Sequence, residues 1–209
     1  MKSVHAVVAV KGLERGKYRL AGALTEGQRR LLIETMLNDV LDALRATPGI
    51  ASINVLSSDT AVLPKDVEQI VDPGDGLNAA VTYAAQVLSN DGAASMLLLP
   101  ADLPFVTADD IGALLEAAND HDAVIAPDVR HAGTNALLLS PPLLIEPRFG
   151  DQSFTAHVQA IRCSPATRLK IVERRGLAYD IDVPADLVAL SGAWREGYRF
   201  IDAAPRKAS

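Results

Sequence analysis

The sequence is poor in cysteine, in aromatic residues and in positive charge. Its single cysteine, Cys163, excludes an internal disulfide and a zinc site built on several cysteines, and we expect its thiol to be buried or half-buried. Aromatic residues make up 4% of the chain whereas 49% is hydrophobic, so the core must be largely aliphatic. A net charge of −6 argues against nonspecific binding to nucleic acid or to a membrane surface, because those partners require a basic field.

Long hydrophobic runs are also absent. The apolar stretch from Val4 to Val10 is too short for the core of a signal peptide or for a membrane span, so we expect a cytoplasmic protein. A chain of 209 residues is long enough for one well-buried domain and short for two. We assign residues 1–190 to that domain and residues 191–209 to a C-terminal extension with a disordered end.

The stretch 96–104 predicts the centre of the fold. Its apolar run, bounded by a polar turn and by two prolines, is typical of a strand buried on both faces of a parallel sheet. Asp102 stands between prolines that cannot donate to a sheet ladder, so its carboxylate is expected at the carboxyl edge of that strand. Ligands of open α/β sheets bind at this edge. Because Thr107 gives the following helix a better start, we interpret Asp102 as functional rather than as a cap.

Strands and helices alternate along the rest of the domain. The predicted strands are Val4–Val10, Ser52–Leu56, Glu68–Val71, Ser95–Leu99 and Ala123–Ala126, and the predicted helices are Thr25–Arg45, Leu77–Leu88 and Asp109–Asn119. A further strand follows the turn at 130–133, and a further helix starts near Ser153. This alternation predicts a single α/β domain with a mostly parallel sheet and helices on both faces.

The loop after the first strand is strongly basic. Residues 11–19 contain two glycines and four cations, among them Lys11, Lys17 and Arg19. Such a loop can bend closely around an anion while its side chains neutralise it, which is phosphate-binding chemistry. It matches neither the Walker motif nor the dinucleotide fingerprint, so those mechanisms are not implied. The alternative is an ordinary solvated basic loop.

Gly76 and Asn78 stand where a glycine-containing turn opens a helix. Free backbone donors and the helix dipole favour an anion there, and an amide side chain can recognise a base or a ribose. Plain helix capping is the alternative explanation.

Two later turns carry uncharged hydrogen-bond donors. Thr134 follows a glycine at the start of a strand, and Gly150 and Ser153 stand at the start of a helix. Backbone amides and hydroxyls at such places bind a small phosphate or carboxylate without adding charge. Alternatively, Ser153 only caps its helix. His157 could be catalytic, although a packed histidine is the more common case.

An acidic pair lies near the end of the domain. In an extended segment, residues two apart point to the same side, so Asp180 and Asp182 should present their carboxylates together. Paired carboxylates repel each other unless a cation or a proton lies between them. With Asp102 they would provide three oxygen ligands suited to magnesium. Alternatively, one of the pair caps the helix that starts near Pro184, and this must hold for at least one of Asp182 and Asp186.

Together these motifs resemble those of the nucleotidyltransferases of GT-A-like fold. The aspartate motifs around Asp102 and Asp180 are shared widely within that superfamily. A narrower resemblance is to the 2-phospho-L-lactate guanylyltransferase family of deazaflavin coenzyme F-420 biosynthesis, whose bacterial members include phosphoenolpyruvate and 3-phosphoglycerate guanylyltransferases. Residues 4–190 take part in it, and three segments discriminate: Gly76-Leu77-Asn78-Ala79-Ala80, Gly133-Thr134-Asn135-Ala136-Leu137-Leu138-Leu139 and Phe149-Gly150-Asp151-Gln152-Ser153-Phe154-Thr155-Ala156-His157.

The resemblance implies a role for each candidate residue. Asp102, Asp180 and Asp182 would hold magnesium, and Thr134, Gly150 and Ser153 would bind the phosphorylated acid. Lys11, Lys17 and Arg19 would hold the GTP phosphates, with Gly76 and Asn78 near the nucleoside. The candidate catalytic residues are then Asp102, Lys17 and Arg19. Gly12, Gly16 and Tyr18 replace the proline, alanine and serine that are usual in the family's basic loop, and they leave its cations in place.

The activity implied by the resemblance is transfer of GMP from GTP to 2-phospho-L-lactate, phosphoenolpyruvate or 3-phospho-D-glycerate, with release of pyrophosphate. The sequence leaves the choice of acid open, and its apolar content is compatible with a homodimer. Two alternatives remain. One is another nucleotidyltransferase, of the molybdenum-cofactor or sugar type; the other is a noncatalytic nucleotide-binding protein with the same fold.

Overall fold

The computed structural model describes residues 3–10, 17–58, 63–190 and 196–201. Its strands are β1 (Val4–Ala9), β2 (Ile50–Ser57), β3 (Glu68–Val71), β4 (Ser95–Pro100), β5 (Ala123–Pro127), β6 (Thr134–Leu139) and β7 (Leu169–Ile171). Its helices are α1 (Glu26–Arg45), α2 (Leu77–Asn90), α3 (Ala108–Ala117), α4 (Ser153–Cys163) and α5 (Arg175–Ala178). Short 3-10 helices cover Tyr18–Leu20, Asp186–Ala189 and Glu196–Ile201. The predicted elements are all present, whereas β7 and α5 were not foreseen from the sequence.

One seven-stranded sheet organises these elements in the order β3-β2-β1-β4-β6-β5-β7. Strand β6 pairs antiparallel with β4 and β5, and the other four pairings are parallel. The predicted mostly parallel sheet is therefore confirmed. Because β6 runs in reverse, its first residues lie at the same edge as the carboxyl ends of β1 and β4. The direction of β6 thus adds one more chain segment to the edge where ligands are expected.

Helices cover both faces of the sheet, as predicted. Along β4, Leu97 and Leu99 belong to the core under α1 and α3, whereas Met96 and Leu98 belong to the core under α2 and α4. This is the alternation of a strand buried on both sides. A fully buried leucine contributes roughly 1.5–3 kcal/mol relative to an exposed one. The aliphatic core expected from the composition is confirmed.

Threonine caps fix the starts of the two helices on one face. Thr25 and Thr107 each accept a hydrogen bond from the backbone three residues on and complete a capping box, so α1 and α3 begin where the sequence indicates. At the end of α4 the structure corrects the sequence analysis. Cys163 is exposed rather than buried or half-buried, because it lies in the last turn on the side facing away from the sheet.

Part of the predicted C-terminal extension packs against α1. Tyr198 is buried and its hydroxyl donates to Asp39, while Gln28 donates to the carbonyl of Phe200 at 3.0 Å. Residues 191–195, including Trp194, and the tail 202–209 lie outside the described residues, so the boundary at 190 and the disordered end stay predictions. In the described ranges no helix is both long and apolar enough to cross a membrane.

Helix α5 docks the acidic segment against the sheet. It lies so close to α3 that a Cβ added to Gly176 would collide with the Asp110 carboxylate and would come within 2.6 Å of the Phe105 carbonyl oxygen. Asp110 is itself fixed by the Thr107 cap and by Arg174, whose Nε lies 3.0 Å from its Oδ1. The close approach at Gly176 therefore sets where the chain enters the segment 179–182.

Gly176→Ala should destabilise the protein by about 2–3 kcal/mol, because neither the carbonyl nor the bonded carboxylate can move away cheaply. Urea denaturation measures the effect. The matched control is Gly112→Ala in α3, where an added Cβ meets nothing within 4 Å and the change should be neutral or stabilising by up to about 1 kcal/mol. Equal stabilities of the two variants would contradict the close approach.

Candidate active site

A cleft of about 580 Å³ opens at the edge of the sheet where β1 and β4 end and β6 begins. Most of the predicted site residues line it, although they come from segments far apart in the sequence: Lys17, Arg19, Asp102, Thr134, Gly150, Ser153, Asp180 and Asp182. The described part of the chain thus gathers two cations, the three predicted carboxylates, a fourth carboxylate on Asp151 and a set of uncharged donors around one space.

Backbone contacts bring the three carboxylates together. Asp102 follows β4, and its carbonyl accepts a hydrogen bond from the backbone N–H of Ile181 at 3.3 Å. Ile181 is fully buried, so the aspartates on either side of it face the cleft. Asp186 accepts hydrogen bonds from the N–H groups of Asp182 and Val183, each at 2.8 Å. Asp186 therefore fixes the backbone at 182–183, whereas the N-cap of the 3-10 helix is Ala185 without a side-chain cap, so the expectation that Asp182 or Asp186 caps this helix is wrong.

Lys17 provides the cation among these carboxylates. It has a left-handed backbone conformation, with φ at 57°, and its ammonium donates to Asp102 and, at 2.7 Å, to Oδ1 of Asp182. Burial alone would lower the pKa of Lys17, but the charges of Asp102 and Asp182 outweigh it and raise that pKa above its usual range. Lys17 is therefore a charged, half-enclosed neighbour of two carboxylates.

Asp180 is partly buried and lies near the charge of Asp102. Burial, followed by the nearby charge of Asp102, raises the pKa of Asp180, although a hydrogen bond from the amide of Asn135 at 3.3 Å opposes the shift. No three carboxylate, histidine or cysteine side chains within the described ranges are arranged closely enough to hold a metal ion. In this arrangement the cation beside Asp102 and Asp182 is Lys17, and the predicted magnesium site stays a prediction.

Uncharged donors, together with the carboxylate of Asp151, form another part of the cleft lining. Thr134 is the first residue of β6, and Ser153 is the first residue of α4. Gln152 is the N-cap of α4, so the alternative in which Ser153 only caps the helix is wrong. Gly150 has a φ of 131°, a conformation that side chains disfavour, and its backbone borders the cleft. These three residues lie together, as the substrate-binding prediction requires.

Asn78 and Gly76 do not line the cleft, and their place near the nucleoside stays a prediction. The amide of Asn78 donates to the carbonyl of Phe149 at 3.1 Å and accepts from its N–H at 2.7 Å. Gly76 is the N-cap of α2, and neither residue lines the cleft. Asn78 thus holds the loop that carries Gly150, because both of its polar atoms are already used by that loop. Lys11 lies outside the described residues, as do both glycines of the basic loop.

His157 is the packed histidine that the sequence analysis favoured. It is fully buried, its Nδ1 lies 3.0 Å from the hydroxyl of Thr134, and its Nε2 accepts the N–H of Arg148 at 2.8 Å. Burial, and then the charge of Arg148, lower the pKa of His157 to about 4. Sequence reasoning missed this link and that of Asn135, because nothing in the spacing relates α4 or α5 to β6.

His157 should make the fold sensitive to acid. Its pKa is 6.5 in the unfolded chain and about 4 in the folded protein, so between these values the unfolded state binds more protons. The free energy of unfolding should fall by up to about 3 kcal/mol as the pH drops through this window. Urea titrations at pH 7, 6 and 5 should show that the free energy of unfolding declines less steeply in His157→Phe than in the wild type. Carboxylates that titrate in this range contribute equally to both proteins and do not affect the difference. Identical declines would contradict a buried neutral imidazole.

Comparison with known structures supports the fold. A protein from Desulfovibrio desulfuricans G20, assigned to the nucleotide-diphospho-sugar transferases, superposes with a TM-score of 0.80 at 17% identity over 97% of this chain and 95% of its own. The 4-diphosphocytidyl-2C-methyl-D-erythritol synthase of Anaerococcus prevotii gives a TM-score of 0.63 at 10% identity over 96% of each chain. At these identities the likeness is one of fold. The protein has the single-domain nucleotidyltransferase architecture expected from the sequence.

Sequence comparison is more specific. The phosphoenolpyruvate guanylyltransferase of Rubrobacter xylanophilus is 40% identical over 99% of this chain and 100% of its own length. That of Sphaerobacter thermophilus is 40% identical over 90% of this chain and 92% of its own. The family model described as "Guanylyl transferase CofC like" matches residues 4–201. The chain therefore belongs to the CofC-like guanylyl transferase family.

Proposed function

We propose that this protein transfers GMP from GTP to a phosphorylated three-carbon acid and releases pyrophosphate. The observation that carries the proposal is the cleft of a CofC-like family member, which is lined by two cations, four aspartates and three uncharged donor residues. Among the three acids, phosphoenolpyruvate is the first choice because relatives at 40% identity bear that name. A place in coenzyme F-420 biosynthesis follows from the same family resemblance.

The chemistry requires alignment of two anions more than it requires a base. The phosphate of the acceptor is ionised at neutral pH, so its oxygen can attack the α-phosphorus of GTP in line without losing a proton. The protein must hold two mutually repelling groups together and stabilise the charge that develops on the leaving pyrophosphate. Lys17 and Arg19 face the charged end of the cleft, where the nucleotide phosphates would bind. Thr134, Ser153 and the backbone at Gly150 would hold the acid.

The donor set suits a magnesium ion. Asp102, Asp180 and Asp182 are hard oxygen ligands on one edge of the sheet, and a bound cation would favour the charged form of Asp180, whose pKa is raised by burial and then by the charge of Asp102. These three residues would hold the ion, which would neutralise their charge and that of the nucleotide phosphates. Within the described residues, Lys17 forms ion pairs with both Asp102 and Asp182.

Pyrophosphate release tests the proposal directly. Purified protein with GTP and magnesium should release pyrophosphate with one of the three acids, phosphoenolpyruvate being expected, and CTP should not replace GTP. Asp102→Asn should lower turnover by about 100-fold or more, because it removes a group that acts on developing charge. Asp91→Asn, at the far end of α2, is the matched control and should keep full turnover. Chelation of divalent ions should stop the reaction, and magnesium should restore it.

Several outcomes would contradict the proposal. Folded protein that releases no pyrophosphate with any of the acids would exclude this acceptor class. Turnover with CTP would point to another nucleotidyltransferase. Retained turnover in Asp102→Asn, or in the presence of chelator, would contradict the role proposed for the aspartates in catalysis.

A substitution of Asn78 distinguishes binding of the acid from binding of GTP. Because its amide holds the backbone of Phe149, Asn78→Leu should loosen the loop at 148–150 and raise the KM for the acid by about tenfold, while the KM for GTP changes little. Gln86→Leu is an exposed change on the same helix and should alter neither constant. A rise in the KM for GTP alone would instead support the nucleoside contact first expected of Asn78.

A further inference from the structure

A buried histidine connects the loop at 148–150 to the donor side of the cleft. His157 lies on α4, fully enclosed, and its ring packs edge-on against Phe149 with centroids 4.7 Å apart. One ring nitrogen contacts the backbone of Arg148 and the other contacts the side chain of Thr134. Both ring nitrogens are therefore used inside the protein, and His157 reaches the cleft through its contacts with Thr134 and Phe149, which line it.

The two contacts fix which nitrogen carries the proton. The N–H of Arg148 can only donate, so Nε2 of His157, 2.8 Å away, must accept and cannot be protonated. A neutral imidazole then has its proton on Nδ1, and the lowered pKa of His157 keeps the ring neutral near pH 7. Nδ1–H consequently donates to the hydroxyl oxygen of Thr134 at 3.0 Å.

This assignment gives the hydroxyl of Thr134 a direction. Its oxygen already accepts from His157, and it makes no other hydrogen bond with the described residues. The hydroxyl proton is therefore available to the cleft. Donation runs one way, from Arg148 N–H to His157 and from His157 to Thr134, and hydrogen bonds aligned in this manner strengthen one another.

We propose that His157 is a positioning residue that presents the Thr134 hydroxyl as a hydrogen-bond donor to the anionic group of the acceptor acid. This inference rests on the proposed function, in which the acid binds beside Thr134. An anion can only accept hydrogen bonds. If the Thr134 O–H pointed toward His157 instead, the hydroxyl lone pairs would face the anion and repel its charge. His157 thereby lets an uncharged residue serve anion binding without adding another cation to the cleft.

Nitrogen NMR of the wild-type protein tests the tautomer without any substitution. With imidazole nitrogens labelled, His157 should show a protonated Nδ1 and an unprotonated Nε2 at pH 7, in an assignment confirmed by loss of the signals in His157→Phe. A proton on Nε2, or a doubly protonated ring, would overturn the proposal. This measurement stands whether or not any acid is a substrate.

Two substitutions then separate orientation of the hydroxyl from support of the loop. His157→Asn can place an amide N–H where Nδ1 stood, and His157→Gln can place an amide oxygen where Nε2 stood. We expect His157→Gln to raise the KM for the acid by about tenfold, His157→Asn by less than about threefold, and the KM for GTP to stay constant in both. A purely structural role predicts the reverse order or equal changes, and either result would overturn the proposal.

The double variant completes the test. Thr134→Val removes the hydroxyl and should raise the KM for the acid by about tenfold, whereas Thr134→Ser should preserve most of the affinity. Adding His157→Gln to Thr134→Val should raise this KM by less than about twofold, because the two residues act through one hydroxyl. Independent, multiplying effects would overturn the proposal. Absence of turnover by the wild type with all three acids would instead refute the proposed function. The NMR measurement of the His157 tautomer would then still test the orientation of the Thr134 hydroxyl.

Discussion

The balance of charge at one edge of the sheet constrains the whole molecule. Three carboxylates, on Asp102, Asp180 and Asp182, are held there by backbone contacts that the fold cannot easily release. Lys17 neutralises two of them, and its own pKa is raised as a result. The Asp182 side chain is 51% exposed, so solvent screens part of this attraction. The edge still requires a nearby cation to balance these carboxylates, from the protein or from a ligand.

This requirement explains how the two sides of the cleft differ. Lys17 and Arg19 line the cleft together with the three aspartates, whereas Thr134, Ser153 and the backbone of Gly150 offer uncharged donors, with the carboxylate of Asp151 nearby. An acid bound at these donors would not compete with the nucleotide for the same cations. Its affinity must come from correctly aimed donors, which depend on rigid support. Asn78 and His157 provide that support at consecutive residues of one loop.

The sequence predicted what depends on strong local signals. Threonine caps, a glycine-rich turn and a doubly buried strand located α1, α3, α2 and β4 within a few residues. It placed Asp102 at the correct edge because proline cannot donate a hydrogen bond to a neighbouring strand, so the strand ends near it. Contacts between distant segments could not be predicted from the sequence. Asn78 contacts Phe149, which is 71 residues away along the chain, and His157 contacts Thr134, which is 23 residues away. Amide and imidazole groups suit many partners, so their residue type alone does not identify the one they find.

The position of the uncharged donor Thr134 depends on the direction of β6. Had β6 run parallel to β4, its first residue, Thr134, would lie at the opposite edge of the sheet, a strand length away from Asp102. Antiparallel pairing, with Leu98 opposite Leu137, brings Thr134 to the carboxyl end of β4 instead. The hydrophobic pattern of β6 is the same in either direction, since every residue from Thr134 to Leu139 is buried. Chain direction, set by the connections on either side, thus determines whether the donors and the aspartates can share one cleft.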